Sequence, residues 1–302
     1  MRYSTWAGPW DWEYLPKKLR VRMAYAYHGG RLYLPKHPRH RVYELPESAV
    51  FFPVELQRFG KLRPWIAEPK VRMARPHAAW LVLCHNDALG KEHPEYCVRN
   101  EHGDVYSYAL CPSHPAVQDY CVELCRQAAA QPFVDELDLE ALGWLGFVHN
   151  GLHEKCGVEL SRSEVAALSQ CHCEYCQRGE GADWALLRRI RSEVKVRLNL
   201  RLALDGAHRG GKFACAPERV KELESLVDAV TLTYFGLPIT FQRPAVNVEV
   251  HAGFVAHSPD CRSKGEREAR LRACGAADEI AFYSWSLADS AVANWMEEKG
   301  NE

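Results

Sequence analysis

The sequence lacks an apolar run of 18 residues anywhere along its 302 positions, so no segment is suited to cross a bilayer as a helix. It also lacks a surplus of either charge: 38 Lys and Arg stand against 39 Asp and Glu, which argues against nucleic acid or an anionic membrane as partner. The start, MRYSTWAGPW, shows no charged region followed by an apolar one. No secretory signal is expected there, and a reducing, cytoplasmic setting follows from that expectation. There is no Gly-rich dinucleotide loop after the first apolar segment, no internal repeat and no low-complexity tract. What is abundant is equally informative. In a reducing compartment, 12 cysteines read as thiols or metal ligands rather than disulfides. Nine Trp, 13 Tyr and 14 His offer rings that can stack on sugars or fill a core.

Apolar segments suited to buried strands recur eight times: Tyr3–Trp6, Arg22–Tyr27, Trp80–His85, Val134–Ala141, Val196–Leu202, Ala229–Tyr234, Ala245–His251 and Glu279–Trp285. Helical periodicity lies between several of them, over Pro115–Ala130, Asp183–Val194, Pro217–Leu226, Ser263–Ala273 and Ala288–Glu298. Eight strands alternating with helices predict an α/β fold, a (β/α)8 TIM barrel. The expected organisation is one barrel over 1–302. It includes a mouth-covering loop at 29–70 and an insertion at 142–181 after the fourth strand. The link Phe235–Pro244 is shorter than a crossover helix needs.

Residues 171–176 read CHCEYC, three thiols within six positions. A closed structural zinc site takes four ligands, usually Cys thiolates. Cys171, Cys173 and Cys176 supply three, and Cys111, Cys156 or His153 offers the fourth. The bland alternative is a set of reduced, unmetallated thiols. Cys84, Cys121, Cys125 and Cys274 read as small buried apolar residues.

The fourth strand, VDELDLEALG, places Leu137 and Leu139 on one face and Glu136, Asp138 and Glu140 on the other. Carboxylates inside a barrel are costly unless paired or used. In the seventh strand, AVNVEVHAGF, Asn247, Glu249 and His251 share the inward face. Glu140 and Glu249 thus read as two strand-end carboxylates facing each other across a mouth, an arrangement that suits glycoside hydrolysis. The bland alternative pairs Glu140 with Arg197 or Arg201, which share the inward face of the fifth strand with Asn199.

CPSHP at 111–115 together with CHCEYC at 171–176, flanking a strand that ends in Glu, resembles the zinc site of the glycoside hydrolase family 42 β-galactosidases. The motif match spans Cys111 to Arg178. The resemblance implies a structural zinc on Cys111, Cys171, Cys173 and Cys176. It places the chain beside the retaining glycosidases whose catalytic residues lie on strands four and seven. By it, Glu140 is the acid/base and Glu249 the nucleophile. It implies further sugar contacts from Tyr234 and Trp285, at the ends of strands six and eight. One departure is Leu139, where that clan usually has an Asn.

Strand ends and the loop HNGLHEK add His85, Asn86, Asp138, His149 and His251 as candidate substrate contacts. The expected activity is a retaining glycosidase acting on a small glycoside or an oligosaccharide end, with carbohydrate as its partner. Subunit number is left open and a homo-oligomer is allowed. Two other readings stand beside it. One is a barrel that binds sugar without hydrolysing it. The other is a metal-dependent hydrolase built on His85, His149, His153, His251 or His257, against which stands the lack of an H-x-H pair on the first strand.

Overall fold

The computed structural model describes residues 1–8, 11, 15–27, 30–33, 42–45, 49–50, 54–56, 60–62, 77–145, 147, 160–176, 182–204, 212–235 and 238–302, with the backbone alone over 27–62. Eight parallel strands close on themselves: β1 (Arg2–Ala7), β2 (Arg20–Tyr27), β3 (His77–Val82), β4 (Val134–Glu140), β5 (Arg197–Ala203), β6 (Ala229–Tyr234), β7 (Glu249–Val255) and β8 (Glu279–Tyr283). Each pairs with the next in sequence, and β8 pairs with β1 to complete the ring. This is a (β/α)8 barrel.

Side-chain alternation explains the closure. Leu137 and Leu139 of β4, Leu198, Leu200 and Leu202 of β5, and Val230 and Leu232 of β6 all face outward into the main core. They pack there against Val117, Tyr120, Leu124, Trp184, Leu187 and Ile190 of the surrounding helices. Ile280 and Phe282 of β8 and Ala252 and Phe254 of β7 form a second outer cluster with Trp295 and Met296. The opposite parity faces the barrel axis, where the residues are largely polar.

The helices are α1 (Asp87–Glu92), α2 (Pro115–Ala129), α3 (Arg162–Ser169), α4 (Ala182–Glu193), α5 (Lys264–Ala273) and α6 (Ser290–Lys299), with a 3-10 turn run at Pro217–Ser225. Local chemistry sets their starts. Pro115 occupies the first turn of α2, and Ser161 with Glu164 forms a reciprocal cap on α3. Ser263 and Asp289 cap α5 and α6. α1 and α3 were not anticipated from periodicity, because each is short and weakly amphipathic.

Three strands sit differently from the sequence expectation. β3 ends at Val82, three residues before His85. β8 ends at Tyr283, two before Trp285. β7 begins at Glu249, whereas the apolar pattern placed Glu249 near its end. The cause of the last shift is local. Asn247 is tied through N and Nδ2 to Glu224, and Val246 N turns back onto the Pro244 carbonyl, so 244–248 cannot join the ladder. The stretch 29–70, expected as a loop or small hairpin, contains two antiparallel hairpins, Gly30–Tyr33 with Val42–Leu45 and Val54–Leu56 with Gly60–Leu62. Between them, Ala49–Val50 pairs antiparallel with the end of β2.

Candidate active site and cysteine cluster

The inward polar residues form levels along the axis. At the amino end, Arg2, Arg197 and Glu249 open β1, β5 and β7, with Arg20 opening β2 beside them. Glu249 Oε2 lies 2.6 Å from Arg2 Nη2 and 2.9 Å from Arg197 Nη2. Arg197 also reaches Glu136 at 3.4 Å. One level up, fully buried Arg22 meets Glu279 at 2.5 Å and Asp138 at 3.2 Å. Its Nη2 donates to His251 Nδ1 at 2.9 Å, which leaves the His251 Nε2–H to face Glu249 at 3.2 Å.

At the carboxyl end lies the mouth. Glu140 closes β4, and its Oε2 accepts from Trp80 Nε1 at 2.6 Å and pairs with Arg201 Nη1 at 2.7 Å. No hydrogen bond engages its Oε1 among the described residues. Burial raises the Glu140 carboxyl above its ordinary range, opposed chiefly by Arg201 and by the Trp80 hydrogen bond. Asp138, one step below, is fully buried and accepts from Trp6 Nε1 and Asn199 Nδ2 at 2.6 and 2.7 Å. Phe235 and Tyr283 pack at 4.8 Å between ring centres and stand over Trp6, with Tyr283 also edge-on to Trp80. Trp6 itself is fully buried. It fits because β7 carries Gly253 opposite it: a Cβ there would lie 2.7 Å from the indole.

Several expected contacts fall elsewhere. The expected nucleophile, Glu249, is at the amino end of the barrel and not at the mouth, because β7 starts where the sequence pattern had it finishing. Tyr234 has the outward parity of β6 and packs on the helical core. Trp285 lies beyond β8 and packs on Ala7, Val21 and Met23, outside the barrel. His85 is buried under Tyr108 and bridges the strand Val105–Leu110 through Ala109. Asn86 caps α1, accepting from Leu89 N and donating to Tyr120 Oη. His251 is below the mouth, and Asp138 lies under Glu140 rather than beside it. His149, His153 and Cys156 lie outside the described residues. The mouth residues that sequence reasoning missed are Trp6, Trp80, Phe235 and Tyr283. Inward parity at strand ends was the signal for Trp6 and Trp80. The pairing of Glu140 with Arg201 is the bland alternative read from parity, and it is present.

A second site sits beside the mouth. Cys111, Cys171, Cys173 and Cys176 place their sulfurs within 4.8 Å of one another, and among the described residues they are the one group of three or more metal-type ligands. Cys111 Sγ is 3.7 Å from Cys173 Sγ and 3.4 Å from Cys176 Sγ. A tetrahedron of sulfurs about 2.3 Å from a zinc has edges of about 3.8 Å, so the thiols fit that ion. Arg99 N and Ser113 Oγ reach Cys171 and Cys176 at 3.4 and 3.1 Å, contacts suited to charged sulfur. Donation from Cys111 holds the Cys171 thiol down to about 7. The cluster joins the strand Cys97–Arg99, the start of α2 and the loop at 171–176, and it packs against the aromatic group of the mouth.

Fold and mouth together define a (β/α)8 barrel with a carboxylate-bearing, aromatic-walled opening at the carboxyl ends of its strands. No protein-family model matches the chain, and no curated protein matches it. Solved structures do. The GH36 α-galactosidase AgaA from Geobacillus stearothermophilus matches with a TM-score of 0.36 at 13% identity, over 75% of this chain and 30% of that one. The galactosidase domain of the α-galactosidase–sucrose kinase AgaSK gives 0.38 at 15%, over 79% and 31%. The α-galactosidase from Lactobacillus brevis gives 0.34 at 12%, over 75% and 29%. This chain therefore spans about 30% of those chains. Similarity at this level assigns neither substrate nor residue roles. The resemblance to the family 42 β-galactosidases rests on the cysteine motif alone.

Proposed function

We propose that the chain is a carbohydrate-active barrel, a glycosidase in which Glu140 is the acid/base, with a structural zinc on Cys111, Cys171, Cys173 and Cys176. The observation that carries this reading is the unequal engagement of the two Glu140 oxygens. Oε2 is fixed by Trp80 and Arg201, while among the described residues no hydrogen bond engages Oε1, at the mouth of a barrel whose strand ends carry rings. Burial raises the Glu140 carboxyl, the direction that suits a group that protonates a leaving oxygen. Phe235 and Tyr283, both partly exposed, offer flat apolar faces that suit the C–H face of a pyranose. Zinc supplies no reaction chemistry here; closed on four thiolates, it staples the loop at 171–176 to α2. The substrate is a small glycoside or an oligosaccharide end.

A second reading has one observation in its favour. Among the described residues, the carboxylate that bears on Glu140 is Asp138, which is fully buried and committed to Trp6, Asn199 and Arg22. Without a carboxylate across the mouth, the same surface suits a barrel that binds sugar without cleaving it.

One experiment separates the two. Wild type and Glu140→Gln are assayed on activated aryl glycosides and titrated calorimetrically with monosaccharides. Hydrolysis lost in the variant, with binding kept, supports the enzyme. Binding without turnover in wild type supports the sugar-binding barrel. Absence of both removes the carbohydrate reading.

A further inference from the structure

The support beneath Glu140 is more elaborate than an ion pair requires. Arg201, on β5, has a side chain only 3% exposed. Its guanidinium carbon lies 4.7 Å from the Trp6 ring centre and 5.1 Å from that of Trp80. Each of those indoles donates to one of the two carboxylates that Arg201 also serves: Trp6 to Asp138 and Trp80 to Glu140. Arg201 Nη2 is 3.7 Å from Asp138 Oδ2, while Nη1 is 2.7 Å from Glu140 Oε2. Among the described residues its Nε and Nη2 make no hydrogen bond, so the cation is held there by ring faces and charge rather than by a saturated set of acceptors. A planar guanidinium can rest on two indoles in this way; a lysine ammonium, compact and strongly hydrated, cannot.

We propose that Arg201 is a positioning residue for Glu140: resting on the Trp6 and Trp80 rings, it fixes Oε2 as the unprotonated oxygen and leaves Oε1 to pass a proton to and from the ligand. The assignment rests on the reading of Glu140 as acid/base. A carboxyl bound through one oxygen presents its proton from one direction, whereas a carboxyl bound evenly through both would present it from none. Among the described residues, the charged groups bearing on Glu140 come from three elements. Arg201 approaches from β5, Asp138 from β4, and Lys212, anchored on the Thr233 carbonyl at 2.8 Å, from the segment before the strand Phe213–Ala214. Arg201 and Lys212 favour the charged form, and Asp138 opposes it.

The test reads ionisation without any substrate. The protonated-carboxyl band of Glu140 is followed in pH-difference infrared spectra and assigned by its loss in Glu140→Gln. Arg201→Met should raise the midpoint by a unit or more, a tenfold gain in proton affinity, and Trp80→Phe and Arg201→Lys should raise it less. A merely structural Arg201 would lower the melting temperature and leave the midpoint in place. A native circular dichroism spectrum with an unmoved or lowered midpoint in Arg201→Met overturns the proposal. Should that variant fail to fold, Trp80→Phe and Arg201→Lys decide on the same criterion. Hydrolysis surviving in Glu140→Gln would remove Glu140 from catalysis, and is read separately from the infrared midpoint.

Discussion

Glu249 and Glu140 stand at opposite ends of one barrel: Glu249 opens β7 between Arg2 and Arg197, and Glu140 closes β4 beside Arg201 and Trp80. The amino end of such a barrel is where stability is built, and the carboxyl end is where chemistry is done. Glu249→Gln should therefore leave ligand binding and any turnover at the wild-type level. It should cost stability of about 1 kcal/mol, since both partners are half exposed. The Glu249 carboxyl is held well below its ordinary range by its hydrogen bond to His251 and by Arg2 and Arg197. A depressed acid contributes its stability above the unfolded value of about 4.3 and loses it as pH falls towards the folded value. The melting-temperature gap between wild type and variant should thus be present at pH 7 and shrink below pH 4. Loss of turnover with an unchanged melting temperature would contradict this assignment.

Freshly purified protein should contain about one zinc per chain by elemental analysis. Cys173→Ser and Cys111→Ser should each lose the metal and melt earlier, because on the proposed reading the ion would join the loop at 171–176 to α2. Full zinc retained in Cys111→Ser would show that the ion sits elsewhere. Brief chelation should leave any glycosidase activity intact for as long as the fold survives.

Gly253→Ala tests the packing beneath the mouth. The added methyl would fall 2.7 Å from the Trp6 ring and 3.3 Å from Thr233 Cγ2. Overpacking of this kind typically costs about 1–3 kcal/mol. Thermal unfolding should show that loss, and the tryptophan emission should shift as Trp6 yields its bond to Asp138. A variant with wild-type stability and emission would mean that the ring has room to spare.

Asp183 gives a pH signature of the opposite sign to Glu249. It is buried at the start of α4 beside Gly143, and burial pushes its carboxyl up to about 6. A raised acid favours the fold below the unfolded value of about 3.9, and that contribution is lost as pH rises through 6. Asp183→Asn should accordingly be more stable than wild type at pH 7.5, by up to about 2–3 kcal/mol, and equal to it near pH 4. Denaturant melts at the two pH values check this; an advantage at pH 4 alone would refute it.

The sequence carried parity more faithfully than height. Alternation in VDELDLE and in the fifth strand correctly assigned Glu136, Asp138 and Glu140, with Arg197, Asn199 and Arg201, to the barrel axis. Parity is dictated by the pleat and survives any error in where a strand begins. Height depends on which backbone groups enter the ladder. The side chain of Glu224 captures Asn247 and removes four apparent strand residues from β7. For β3, the apolar run LVLC continues past the end of the ladder, so hydrophobicity alone could not stop the strand before His85. Tyr234 was open to correction from sequence, since Thr231 and Thr233 take the inward parity of β6. The cysteine cluster was legible because its spacing is local, apart from one ligand 60 residues away in sequence from Cys171.

Trp6 has a consequence for the shape of what the mouth can receive. Its indole closes the axis just below the rim, filling the space that Gly253 leaves and bolted to Asp138 underneath. Among the described residues, the barrel axis beneath Glu140 is therefore filled by an indole. On the proposed reading, a sugar would rest above that indole, against Phe235 and Tyr283, with its edge towards Glu140.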